Sequence, residues 1–311
     1  MEYRTATYSP GGEIEIVKLH VPDPGFGEIQ LRGAYCGVCS WDIATCKLGA
    51  EMGTPAPPGH EGIGYVTKVG PGVAGFSEGD RVACGGFQTL ANYPVAGLHR
   101  LPESAIPDEF WLVEPLSCVV TGIDVCRLRP GDKVAVVGCG FMGLMLLQLL
   151  VRSYALDVIG LDINADRLKM ARDFGVPEVH TLSNGSNEEL AASLRQRNID
   201  IVIDTSGSQG GLDLATKLVR RGGMINLFGW IKGSQATFDP SAWHLGGLTV
   251  VNSGPAAKLR NPFPVAIDLI EREVVDLRPL VSHVVELDEY ADLMERIIEG
   301  DSSYLKGVVR L

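Results

Sequence analysis

Ten residues, VAVVGCGFMG at 134–143, constrain the fold more than any other stretch of this chain. A β-prone apolar run ends on a glycine, and an apolar helix-like run, FMGLMLLQLLV, starts almost at once. Gly138, Gly140 and Gly143 form a GxGxxG across the turn between them. The first glycine permits the tight turn and the second lets a backbone approach a pyrophosphate. The third lets helix and strand pack closely, and the helix N-terminus then faces the phosphates. Phe141 and Met142 fill the loop between the second and third glycines. Asp162 ends the next predicted strand, where an acidic side chain can take both ribose hydroxyls. Asp162-Ile163-Asn164 also precedes a helix-like segment, so helix capping is the plainer alternative for this acid. Glycines, strand, helix and acid together read as a dinucleotide site. A carboxylate at Asp162 would repel a 2′-phosphate, so the expected cofactor is NAD and not NADP.

The surrounding pattern fits that reading. KVAVVG (133–138), DVIGLDI (157–163), IDIVIDTSG (199–207), MINLFGW (224–230) and LTVVNS (248–253) are apolar runs separated by helix-like segments. Buried strands alternating with helices predict an α/β domain with a doubly wound parallel sheet. Residues before about 110 read differently. EIEIVKLH (13–20), EIQLRGAY (28–35), IGYVTKVG (63–70) and GDRVAC (79–84) are short strands between Pro/Gly turns, as in an all-β module. With 311 residues the chain has room for two domains. Two helical patterns, PFPVAIDLIEREVV and LDEYADLMERIIEG, and a strand, GVVRL, follow the last sheet strand.

Composition excludes several partners. The net charge of −11 argues against nucleic acid and against an anionic membrane surface. The longest apolar run is about half the ~20 residues a membrane-spanning helix needs, and the N-terminus has no apolar leader. The expectation is a soluble, cytoplasmic protein. Its seven cysteines are an odd number and do not suggest a disulfide framework.

Three of those cysteines fall in YCGVCSWDIATC (35–46). Cys36 and Cys39 form a CxxC, open to a redox, metal or accidental reading. His60-Glu61 follows on a Pro/Gly turn leading into a strand. Cysteine, histidine and a carboxylate suit a catalytic zinc, which needs about three protein ligands and one open position. A lone His-Glu pair is more often a solvated surface feature.

Here the chain resembles the zinc-dependent medium-chain dehydrogenases/reductases, the alcohol and polyol dehydrogenases. Gly59, His60, Glu61, Gly64, Gly70 and Val73 match the family's GHE-x2-G-x5-G-x2-V signature in full. Cys39 and Asp42 match its cysteine followed by x-x-Asp, and EPLSCVVTG (114–122) resembles its EPL segment. The similarity runs over essentially the whole chain. It implies a GroES-like catalytic domain (1–113 and 254–311) and a Rossmann NAD-binding domain (114–253). It also implies zinc ligands at Cys39 and His60, with Glu114 in the third-ligand place. Glu61 would be the adjacent glutamate that can approach the metal, and Asp42 would accept a hydrogen bond from His60. Arg167 would touch the adenosine ribose and Lys306 would lie near the pyrophosphate. Family members form dimers or tetramers, so a homodimer or homotetramer is expected.

Two departures stand out. Many relatives carry four closely spaced cysteines after the GDRV strand, whereas this chain has only Cys84 there. One catalytic zinc and no structural zinc is therefore expected, with Cys36 and Cys46 as small buried hydrophobes. Secondly, the family's proton relay uses a Ser or Thr two positions after the ligand cysteine, and in some members a His three positions on. Those positions are Trp41 and Ala44, which relay no proton, and Ser40 would point elsewhere on an extended segment. Trp41 is read as a wall of the substrate pocket or as a core tryptophan. The expected function is NAD- and zinc-dependent interconversion of a secondary alcohol (polyol, sugar or cyclitol-like) and its ketone. Its rivals are a specialised biosynthetic carbonyl reductase with a non-standard proton path and a nucleotide-binding regulatory protein without catalysis.

Overall fold

The structure is a computed structural model describing residues 1–49, 58–154, 157–183, 187–229 and 235–311. The first elements are β1 (Glu2–Tyr8), β2 (Ile14–His20), β3 (Glu28–Gly37), α1 (Ser40–Leu48), β4 (Glu61–Val69), β5 (Arg81–Ala83), β6 (Leu90–Pro94) and β7 (His99–Arg100). Helix α2 (Val113–Cys126) leads into β8 (Lys133–Val137), α3 (Phe141–Ser153), β9 (Asp157–Asp162), α4 (Ala165–Asp173), β10 (Glu178–Thr181) and α5 (Glu188–Arg195). Next come β11 (Ile199–Asp204), α6 (Gln209–Leu218), β12 (Val219–Leu227), α7 (Pro240–Gly246), β13 (Thr249–Asn252) and α8 (Phe263–Glu271). The chain closes with β14 (His283–Glu286), α9 (Tyr290–Glu299) and β15 (Gly307–Arg310). The strand expected over 224–230 runs on to Trp230, which lies outside the described residues.

One compact unit comprises residues 1–115 and 277–311. Its main sheet has the order β14-β15-β3-β4-β5-β7, with β6 also on β3, and β1 and β2 form a separate hairpin. Strand β3 is central because its two halves bind different partners: β6 along Glu28–Arg32, β15 along Tyr35–Gly37, and β4 along nearly its whole length. Helix α9 covers one side through Tyr290, Leu293 and Met294, the i, i+3, i+4 spacing of an amphipathic helix. These pack with Ala6, Cys36, Val38, Phe87 and Val309 in one apolar cluster.

The second unit spans 116–276. Its six-stranded sheet is parallel throughout, in the order β10-β9-β8-β11-β12-β13. This is the doubly wound arrangement expected from the alternating runs. The chain builds outward from β8 to β10, then returns to start again at β11, so the order reverses between β8 and β11.

Residues 254–276 were expected with the first unit, yet they belong to the second. The reason is a polar clamp on α3. The buried Gln148 donates its amide N–H to Asp276 O at 3.0 Å and accepts from Asp276 N at 2.9 Å. Arg152 Nη1 donates to Val274 O at 3.1 Å, and Ala266, Ile270 and Val275 are buried. Among the described residues, no helix is long and apolar enough to cross a membrane.

Candidate functional site

Strand register builds the candidate metal centre, all of it within the first unit. Gly37 is opposite Glu61 between β3 and β4, and opposite Val308 between β3 and β15. The end of β3 therefore has β4 on one side and β15 on the other. Cys39 follows β3 directly, His60 precedes β4, and Lys306 precedes β15. Cys39 Sγ, a His60 ring nitrogen and a Glu61 carboxylate oxygen lie within 4.8 Å of one another. Glu114, expected as a ligand, sits in the first turn of α2 and does not belong to this group.

The donor set fits a zinc-type cation: one sulfur, one imidazole nitrogen and one carboxylate oxygen, on three different backbone segments. Glu61 is 3% exposed, and its Oε2 has an ion-pair partner in Lys306 but no well-formed hydrogen bond. Burial, then the neighbouring Glu61 charge, push the Cys39 thiol up to about 12. A cation held by the group relieves both costs, because it draws off the thiol proton and shares the carboxylate charge. Gly37 is a contributor the sequence pattern did not single out: a Cβ there would run into Glu61 Oε2.

The segment carrying Trp41 is a helix and not the extended strand expected around Ser40. Cys39 takes an extended conformation as its N-cap, and Asp42 at the third helical position accepts the Cys39 N–H at 2.8 Å. That return bond starts the helix in the manner of a capping box. Ala44 is buried, while Trp41 is 36% exposed and has its carbonyl bonded by the Thr45 hydroxyl. Asp42 is fully buried, and burial raises its pKa while His60 draws it down. The hydrogen bond expected from His60 is replaced by those from Cys39 N and the Tyr8 hydroxyl.

Lys306, expected near the pyrophosphate, is 3% exposed, and its ammonium pairs with Glu61 and donates to Val38 O at 2.8 Å. Burial alone would lower its pKa; the charges of Glu61 and Cys39 more than offset this and hold it raised.

The nucleotide turn lies in the second unit. Gly138 has φ +96°, open to glycine at little cost, and a Cβ on Gly143 would strike the Gly138 carbonyl. A Cβ on Gly140 would meet nothing within 4 Å, so that glycine leaves an open approach. Thr205, just after β11, donates its hydroxyl to Gly138 O at 2.6 Å and ties the turn to the neighbouring strand. A cavity of about 580 Å³ opens at this crevice, lined by Gly138, Gly140, Asp162, Arg167, Thr205 and Ser206 among others. Asp162 and Arg167 both line this cavity. Phe141 and Met142 occupy the first turn of α3 and are not among the lining residues. Asp162 is buried and accepts from Cys139 N and from Asn164 N, while the cap of α4 itself is Asn164, whose side chain accepts from Asp166 N and Arg167 N. Each carboxylate oxygen keeps acceptor capacity for a hydroxyl.

Comparisons with known proteins agree with both halves. Residues 25–103 match the alcohol dehydrogenase GroES-like domain, and residues 142–272 the zinc-binding dehydrogenase domain. The chain is 28% identical to YdjJ of Escherichia coli K12, an uncharacterized zinc-type alcohol dehydrogenase-like protein, over 96% of each chain. It is 26% identical to human sorbitol dehydrogenase over 93% of this chain and 91% of that enzyme. The fold is shared with the alcohol dehydrogenase rspB of E. coli CFT073, solved with NADH. The TM-score is 0.88 and the identity 21%, over 100% of this chain and 99% of that one. With a GroES-like unit carrying a Cys-His-Glu group and a parallel-sheet unit carrying the glycine turn, this chain belongs to the zinc-dependent medium-chain dehydrogenase/reductase family of oxidoreductases.

Proposed function

We propose that the protein interconverts a secondary alcohol and its ketone, using zinc at Cys39, His60 and Glu61 and NAD in the cavity beside Asp162. The observation that carries this reading is the 4.8 Å grouping of a thiol, an imidazole and a carboxylate at the end of β3. When bound, zinc supplies a Lewis acid that lowers the pKa of an alcohol or polarises a carbonyl, and the nicotinamide takes or gives the hydride.

The protein's own groups do the remaining work. Cys39 and His60 hold the cation, and Glu61, backed by Lys306, balances its charge. Glu114 would be a further carboxylate for the metal, supported by the EPL segment and not by its present grouping. Asp42 holds the backbone of Cys39. Trp41, exposed two residues from Cys39, offers a flat apolar face to the substrate's carbon skeleton. Its indole can only donate, and Ala44 has no polar side chain, so neither carries the proton away. A water or a second hydroxyl of the substrate takes that part, which fits a polyol, sugar or cyclitol. The likeness to human sorbitol dehydrogenase supports the same lean. A carboxylate at Asp162, lining the cavity, disfavours a 2′-phosphate and supports NAD.

Metal analysis of the purified protein, combined with NAD⁺ and NADP⁺ reduction over a polyol and cyclitol panel, tests the reading. Stoichiometric zinc with turnover preferring NAD⁺ is expected. Equal kcat/KM with both cofactors would remove the NAD assignment. Cofactor binding with neither zinc nor turnover would replace the enzyme reading with a non-catalytic one, which the missing relay at Trp41 and Ala44 would then explain.

A further inference from the structure

Asp42 is fully buried, and its two oxygens are used differently. Oδ2 accepts the Cys39 N–H at 2.8 Å, while Oδ1 accepts the Tyr8 hydroxyl at 3.2 Å. The Tyr8 hydroxyl has one proton, and it donates that proton to Asp42 Oδ1. The Tyr290 hydroxyl lies 2.7 Å from the Tyr8 oxygen and must therefore supply the proton of that second bond. The hydrogen bonds run one way, from Tyr290 to Tyr8 to Asp42. They link the end of β1, the start of α9 and the start of α1, across 282 residues of sequence between the two tyrosines. Both phenols stay protonated as donors: burial, and then the charge of Asp42, raise each above its ordinary value. The Tyr290 ring is itself fixed, 0% exposed and 4.3 Å from the Phe87 ring.

We infer that Tyr8 and Tyr290 are positioning residues for the metal centre: their hydroxyls hold the Asp42 carboxylate against the backbone of Cys39 and so aim its thiol at the cation. The inference rests on the metal reading of Cys39, His60 and Glu61. A buried tyrosine pair with only a structural role could end on any backbone carbonyl. This one ends on the carboxylate that grips the ligand cysteine. Among the described residues neither hydroxyl is hydrogen-bonded to Cys39, His60 or Glu61, so each acts through its neighbour, and the Tyr290 hydroxyl acts through Tyr8.

Titration of the metal-free full-length protein with Co²⁺ tests this, read by the thiolate-to-cobalt absorption band that Cys39 ligation produces. Wild type is expected to show the band. Tyr8→Phe removes the donor to Asp42 and should weaken Co²⁺ binding about tenfold, as loss of outer partners of metal ligands does. Tyr290→Phe should weaken it less, about threefold, because Tyr8 keeps its bond to Asp42. The double variant should bind no more weakly than Tyr8→Phe alone, since the second hydroxyl has nothing left to act through. Tyr93→Phe, at a tyrosine bonded to Gln88 instead, should bind as wild type does. Melting temperatures of the metal-free variants separate positioning from stability. Wild-type Co²⁺ affinity in Tyr8→Phe would overturn the inference, whatever its melting temperature. So would single effects that simply add in the double variant. Absence of the cobalt band in wild type would remove the metal reading and this inference with it.

Discussion

The glycine turn at 138–143 and the cysteine–histidine–glutamate group both sit at the ends of β-strands, but they are assembled in opposite ways. The turn is local. Gly138, Gly140 and Gly143 are consecutive features of one β8–turn–α3 passage, and Thr205 only ties it to the next strand. The metal group is long-range: Cys39, His60–Glu61 and Lys306 come from three separated segments joined by the register of β3 with β4 and β15. A local site tolerates change elsewhere in its domain, whereas a long-range site depends on every strand that brings its parts together.

The sharpest way to break this comparison is Cys39→Ser. Loss of the thiolate should remove the metal and lower kcat/KM on the order of 10³-fold. NADH affinity, measured by fluorescence quenching, should stay at the wild-type value because the turn owes nothing to Cys39. A fall in NADH affinity of similar size would mean that the two sites are built together.

Gly143→Ala is the converse test. Its methyl must displace the Gly138 carbonyl, a backbone atom that cannot swing aside. Strain of about 1–3 kcal/mol is expected in thermal unfolding, with roughly tenfold weaker NADH binding. Co²⁺ uptake should be unaffected. Normal cofactor binding would show that the turn has more room than its geometry allows.

The smallest effect belongs to Trp41→Ser. If the indole packs on substrate, losing it should cost about 0.5–1.5 kcal/mol, or roughly two- to tenfold in KM, and shift preference among polyols. Metal content should not change. Unchanged KM over the whole panel would return Trp41 to a purely structural place on α1.

Much of this was legible in one dimension because periodicity and glycine spacing report local physics. Five of the six sheet strands around the nucleotide turn, the Asp162 strand end, and the grouping of His60 with Cys39 through the zinc signature are legible in the sequence, whereas the short edge strand Glu178–Thr181 is not. Neither is helix α1. Its start depends on Asp42 reaching back to the Cys39 N–H, and cysteine is not a residue that announces a cap. The unit boundary was also hidden, because Gln148 looks like any mid-helix glutamine until Asp276 is seen against it.

By itself the sequence determined the two-part architecture, the glycine turn with its acid, and the residue types able to hold a metal. Each of these is set by spacing along one chain: period-two or buried strands, a helix of 3.6 residues per turn, and fixed motif offsets. Only the tertiary structure decided that Lys306 serves Glu61, that Gly37 makes room for that carboxylate, and that two tyrosines from opposite ends of the chain converge on Asp42. Those contacts join residues tens to hundreds of positions apart, and strand register, which no local pattern encodes, is what brings them together.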